Sequence, residues 1–150
     1  MRRTGLLLTL ALGAFLAQDA FAATAPPAVS LSLASIPRTS ARGARYSATR
    51  VDDLEFTATI SPQVRGAHRL SLKVFTPRGH LYQTLSASFT VPPVASRKRP
   101  PFVAKKVSVR LPVSGTLIAT SSLYGRWKIV PFLDDAPNPC GRELKFEITR

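Results

Sequence analysis

Few side chains among these 150 residues could do covalent or metal chemistry, and their spacing suits it poorly. There are two histidines, His68 and His80, and one cysteine, Cys140. Neither histidine has a second His or Cys at zinc-ligand spacing, and both read as solvent-exposed turn residues. One cysteine cannot build a Cys-rich metal module or an internal disulfide. The acids cluster as Asp52-Asp53 with Glu55 and as Asp134-Asp135. Brought together, they could form a calcium cage or a glycosidase carboxylate pair. Apart, each pair is a turn former with arginines to pair with. Cys140 lies in the turn-like Pro137-Asn138-Pro139-Cys140-Gly141. A thiolate nucleophile there would need a positioned His, whereas an exposed thiol can form a disulfide with another chain. No Gly-x-Ser-x-Gly elbow and no glycine-rich phosphate loop occurs. The expectation is a protein with no catalytic residue, metal or cofactor. A hydrolase whose triad is scattered over loops is the weaker alternative.

Positive charge, by contrast, is abundant: 21 Lys+Arg face 8 Asp+Glu, for a net charge of +13. Residues 92–106, PPVASRKRPPFVAKK, hold Arg97, Lys98, Arg99, Lys105 and Lys106 with four prolines and no acid. The prolines favour an extended segment, and Phe102 and Val103 add an apolar tip. Such a loop suits an acidic polymer or an anionic lipid surface through many screened contacts. Its blander role is a solvated protector of a sheet edge. Residues 37–50 are basic as well, so the charge is not confined to one stretch.

The elements that must carry these residues show period-two patterning, the mark of strands with one wet and one dry face. Seven runs qualify: 29–36, 54–60, 70–76, 81–91, 107–113, 126–133 and 142–149. In the fourth, Leu81, Gln83, Leu85, Ala87, Phe89 and Val91 share a face opposite Tyr82, Thr84, Ser86, Ser88 and Thr90. Pro131 should break or bulge the sixth, because it cannot donate to a ladder. A helical period survives only weakly around Thr116–Leu123. Turn signals at Ser61-Pro62, Pro77-Arg78-Gly79, Pro92-Pro93 and Ser114-Gly115 separate the runs. The chain is expected to be an all-β antiparallel β-sandwich of about seven strands, with Trp127 at its centre. Simple up-down alternation puts connections 61–69, 92–106 and 134–141 at one pole. That pole would gather Arg65, Arg69, Arg97, Lys98, Arg99, Phe102, Lys105 and Lys106 as a binding surface. Asp52 and Asp134 fall at opposite poles, which separates the two acid clusters.

Residues 1–22 have the layout of an export signal. Arg2 and Arg3 precede the apolar run Gly5 to Ala17, and Ala20 and Ala22 stand at −3 and −1, so cleavage is expected before Ala23. The run is too short to span a bilayer, which takes about 20 residues. Residues 23–28 form a flexible lead-in and 29–150 the folded domain. The processed chain keeps 19 basic and 7 acidic residues. A periplasmic or secreted location follows, and export argues against a biological role with nucleic acid.

Three segments carry a family likeness. Thr76-Pro77-Arg78-Gly79-His80-Leu81-Tyr82-Gln83, then Leu123-Tyr124-Gly125-Arg126-Trp127-Lys128-Ile129-Val130 with Lys145-Phe146-Glu147-Ile148, resemble bacterial immunoglobulin-like modules. The resemblance covers roughly the last 100 residues. It implies an immunoglobulin-like sandwich and a non-catalytic envelope or secreted role in adhesion, assembly or ligand contact. It also suggests Tyr124 as a tyrosine corner, while the paired cysteines of antibody-type domains are absent. The sequence therefore points to a binding or structural module of a bacterial cell envelope that contacts an anionic polymer or lipid surface. The alternative is an assembly subunit or inhibitor that pairs through a sheet edge.

Overall fold

The computed structural model describes residues 28–38, 43–92 and 104–150. Residues 1–22, expected from sequence to be an export signal, most of the expected lead-in, and Arg97, Lys98, Arg99 and Phe102 lie outside the described residues. Eight strands and one short helix follow in order: β1 (Val29–Ile36), β2 (Arg45–Ser47), β3 (Asp53–Ile60), β4 (Gly66–Phe75), β5 (Leu81–Val91), β6 (Lys105–Pro112), α1 (Leu117–Thr120), β7 (Gly125–Leu133) and β8 (Leu144–Thr149). The described residues are all-β apart from that single helical turn.

The strands form two sheets, β1-β3-β6 and β2-β8-β7-β4-β5. Each strand turns its alternate apolar residues to a shared core: Leu54, Phe56, Ala58 and Ile60 from β3, Leu70, Leu72 and Val74 from β4, Trp127 and Ile129 from β7. Phe56 of the smaller sheet meets Phe146 of the larger edge-on, with ring centroids 5.5 Å apart. Trp127, 1% exposed, stacks on Phe146 and takes the edge of Tyr82, and its Nε1–H donates to the Leu123 carbonyl at 3.0 Å. The expected central filler is therefore in place, with its one polar atom satisfied.

The sequence reading differs from this fold in three strands. β2 was not anticipated: three residues are too few to display a period. It pairs parallel to β8, the one parallel ladder between the described strands. The face assignment at the start of β5 is reversed. A register shift opposite Val74 and Phe75 turns Tyr82 onto Trp127 and leaves Leu81 54% exposed. One extra residue in a ladder exchanges inside for outside. Finally, β7 runs through Pro131 without a break. The β7–β8 ladder stops at Ile129–Leu144. Pro131 directs its missing donor to the side beyond that point, where its carbonyl accepts from Cys140 N–H at 3.0 Å. No ladder bond is lost.

The poles fall as alternation requires. Ends of β4, β5, β6 and β7 meet where His68, Thr90, Lys105 and Asp134 border one depression. At the other pole, Asp52 donates its N–H to Ile36 and accepts from Val113 and Ser114. There Thr116 caps α1, accepting from Ile118 N–H, and buried Ile118 closes the core.

Candidate anion-binding surface

Sheet order sorts the charge. On β4, Leu70, Leu72 and Val74 point inward, so Arg69 and Lys73 point out; on β7, Trp127 and Ile129 point inward, so Arg126 and Lys128 point out. Lys145 and Glu147 of β8 and Arg45 of β2 lie on the same outer face. That face thus holds Arg45, Arg69, Lys73, Arg126, Lys128 and Lys145 against one strand acid, Glu147. The outer face of the smaller sheet is nearly balanced, with Lys106 and Arg110 beside Asp53 and Glu55.

Local pairing makes the larger face a charged ladder with aromatic support. Lys128 and Lys145 are direct register partners. Like charges opposed across two strands oppose pairing, and a bound anion relieves them. Lys128 Nζ lies 5.1 Å from the centroid of Phe75, and Lys73 Nζ lies 4.4 Å from that of Phe132. The rings fix the ammonium groups over the sheet. Acids flank the face on both sides: Glu143 and Glu147 on the β2–β8 side, and Asp135 over β4, where its Oδ1 accepts from the Ser71 hydroxyl at 3.4 Å. Arg45 Nε meets Glu147 Oε2 at 2.7 Å, and Lys145 Nζ meets Glu143 Oε1 at 2.9 Å. The Lys145 hydrogen bond holds the Glu143 carboxyl below its usual range. Among the described residues, no acid pairs with Arg69, Lys73, Arg126 or Lys128 within ion-pair distance.

The cationic face ends at the depression, an open groove of about 570 Å³ that includes His68, Arg69, Phe89, Lys105 and Asp134. Asp134 and Asp135, both with left-handed φ (51° and 56°), form the turn after β7, closed by Ala136 N–H to the Leu133 carbonyl. The turn returns the Asp134 carboxylate to β4. Its Oδ1 accepts from Arg69 N–H at 2.8 Å, and its Oδ2 lies 2.6 Å from His68 Nδ1. His68 Nε2 lies 2.7 Å from the Arg65 carbonyl oxygen. With an acceptor at each ring nitrogen, the doubly protonated imidazolium is favoured. The Asp134 hydrogen bond and then the Arg65 carbonyl raise the His68 pKa above its ordinary value. The Arg69 N–H, then His68, lower that of Asp134. His68 is thus a strand residue locked between two acceptors, not the exposed turn residue anticipated from sequence.

The anticipated binding residues separate. Arg69 and Lys105 border the groove, whereas Arg65 does not and meets it only through its carbonyl oxygen, 2.7 Å from His68 Nε2. Lys106 lies on the outer face of the smaller sheet, because neighbours on a strand point to opposite sides. Arg97, Lys98, Arg99 and Phe102 lie outside the described residues. Sequence reasoning missed Lys73, Arg126 and Lys128. Their signal was present as polar positions alternating with apolar ones, but only the β8-β7-β4 order joins them. Cys140 is half-buried, and burial pushes its thiol pKa up to about 11. Among the described residues no group of three His, Cys, Asp or Glu could hold a metal ion. No described helix is long and apolar enough to cross a membrane.

No family model and no curated protein matches the chain. Among solved structures, it is similar to a candidate beta-galactosidase from Bacteroides fragilis, at 14% identity and TM-score 0.37 over 82% of this chain. It is also similar to the Pseudomonas fluorescens alkylpurine DNA glycosylase AlkC, bound to DNA containing an abasic site analog, at 11% identity and TM-score 0.38 over 83% of this chain. The aligned region spans 16% and 31% of those two chains. Likeness this distant carries no functional argument.

Proposed function

We propose that the chain is an exported, non-catalytic, immunoglobulin-like β-sandwich module of a bacterial cell envelope. The outer face of its five-stranded sheet binds anionic polymer or lipid headgroups. The single observation behind this reading is the sorting of charge: Arg69, Lys73, Arg126 and Lys128 gather on one face, with no acid within ion-pair distance of them among the described residues. A flat cationic face binds by summed, screened attraction and needs no enclosed pocket.

Strand partition supports the fold assignment. With β2 set aside, the first, second and fifth strands make one sheet. The third, sixth and seventh share the other, as in immunoglobulin domains, with the fourth at its edge as in variable-type domains. Tyr124 Oη–H donates to the Ala119 carbonyl at 3.4 Å in the β6–β7 connection, in the manner of a tyrosine corner. The non-catalytic reading is supported by His68: both of its ring nitrogens already face acceptors, so it offers no base to a serine or thiol.

The test is retention on immobilised polyphosphate and on anionic vesicles as salt is raised. Lys73→Glu with Lys128→Glu should elute earlier and flatten the salt dependence. Arg38→Glu with Arg50→Glu, which changes net charge equally at exposed positions elsewhere, should have a smaller effect. Equal losses from the two pairs would show that net charge alone governs retention, and would sink the assignment to this face.

A further inference from the structure

We propose that β5 is a homodimerisation edge: the β5 strands of two copies pair antiparallel about a two-fold axis at Ala87. β5 is the longest described strand, and its outer side forms one edge of the five-stranded sheet. The Arg69 carbonyl bonds toward β7, so alternate residues Leu70 and Leu72 of β4 bond toward β5, opposite Ala87 and Leu85. Thr84, Ser86, Ser88 and Thr90 of β5 therefore aim their N–H and C=O groups outward. Among the described residues nothing pairs with them.

Exposed edges are ordinarily protected by charge, proline or cover. The other edges here follow that rule. β6 carries Lys105, Lys106, Arg110 and Pro112; β2 is three residues long and bears Arg45. β1 is covered by Gly141 at Val29 and by the Tyr46 hydroxyl at the Leu33 carbonyl. β5 reads LYQTLSASFTV, without a charged residue, glycine or proline, in a chain with 21 Lys+Arg.

The occupant is a second copy because the strand complements itself. Centred on Ala87, antiparallel pairing sets Leu85 of one copy against Phe89 of the other on the inner face. Ser86 then meets Ser88, and Thr84 meets Thr90, on the outer face. Aliphatic–aromatic and hydroxyl–hydroxyl pairs of this kind stabilise cross-strand contacts. The register also separates the cations. Arg69, opposite Ser88, falls in line with Ser86 and Ser71 of the other copy, and Lys73, opposite Thr84, with Thr90 and Ala67. A centre at Ser86 would instead align Arg69 with Lys73. Pairing at Ala87 joins two cationic faces into one continuous sheet, which raises avidity for a long polyanion.

The experiment is sedimentation velocity of the chain from Ala23 onward, over about 1–500 µM. The native chain should dimerise, and Ser86→Lys with Ser88→Lys should be monomeric with an unchanged circular dichroism spectrum. These exposed side chains face solvent, but in the dimer each lysine lies opposite another. Mixing that variant with Ser86→Glu and Ser88→Glu should restore a heterodimer. As a second readout, Ala87→Cys in a Cys140→Ser background should oxidise to a covalent dimer, whereas Leu117→Cys, far from the edge, should not. A native chain that stays monomeric across the range overturns the proposal, as does a dimer indifferent to the lysines or an Ala87→Cys chain that does not cross-link.

Discussion

His68 Nδ1 lies 2.6 Å from Asp134 Oδ2 and joins the first residues of β4 to the turn that ends β7. The same carboxylate holds the Arg69 N–H. Two strands whose partners stand 66 positions apart in the chain are thereby fastened at one pole, next to Arg69 and Lys105.

That contact makes stability depend on pH in a defined sense. The folded pKa of His68 is raised above 6.5, so its contribution is complete below that value and fades as pH rises through the folded pKa. The folded pKa of Asp134 is lowered below 3.8, so its contribution is complete above that value and is lost as pH falls further. The pair stabilises most between about pH 4 and pH 6.5. Thermal melts should show the advantage of the native chain over His68→Gln at about pH 5 shrinking by about pH 9. A constant difference across that range would contradict the contact.

Gly141 should not tolerate a side chain. A Cβ there would run into the Val29 carbonyl oxygen and lie 3.2 Å from Pro131 Cγ. The clash falls where Val29 bridges to Gly141 and donates to the Cys140 carbonyl at 3.2 Å. Gly141→Ala is expected to cost about 1–3 kcal/mol, read from the urea midpoint, because backbone must move to admit the methyl group. An unchanged midpoint would mean that β1 is not held there.

Trp127 tests the shared core. Trp127→Ala should cost about 3–5 kcal/mol. Trp127→Phe keeps most of the packing against Tyr82 and Phe146 but leaves the Leu123 carbonyl without its donor, for about 1–3 kcal/mol. Denaturant unfolding followed by far-ultraviolet circular dichroism measures both, and a Trp127→Phe midpoint equal to that of the native chain would rule out a role for the indole hydrogen bond.

Cys140 is a poor nucleophile in the folded chain. With its pKa pushed up to about 11, roughly one thiol in a thousand or fewer is ionised at neutral pH. Ellman's reagent should react slowly until urea is added, and the chain should run as a monomer on a non-reducing gel. Rapid reaction of the folded chain, or a disulfide-linked dimer, would favour the intermolecular bridge over the inert free thiol.

Much of the framework is legible in residue order. The runs 29–36 and 81–91 coincide with β1 and β5, and the helical hint near Thr116 with α1. The poles follow from counting reversals, because inserting β2 along the β8 edge leaves the alternation of the longer strands intact. The cationic face is less accessible. Each of Lys73, Lys128 and Lys145 announces only that it opposes an apolar neighbour, and nothing local says that three distant strands lie side by side.

The locations of the longer strands, their turns, the strong positive balance and the central core residue Trp127 were thus determined by the sequence itself, since periodicity and turn chemistry act over a few residues. Tertiary structure decided the parallel β2–β8 pair, the inward turn of Tyr82, the His68–Asp134 contact and the segregation of charge to one face. Those features depend on which strands become neighbours, and that outcome follows from burying all the apolar faces at once.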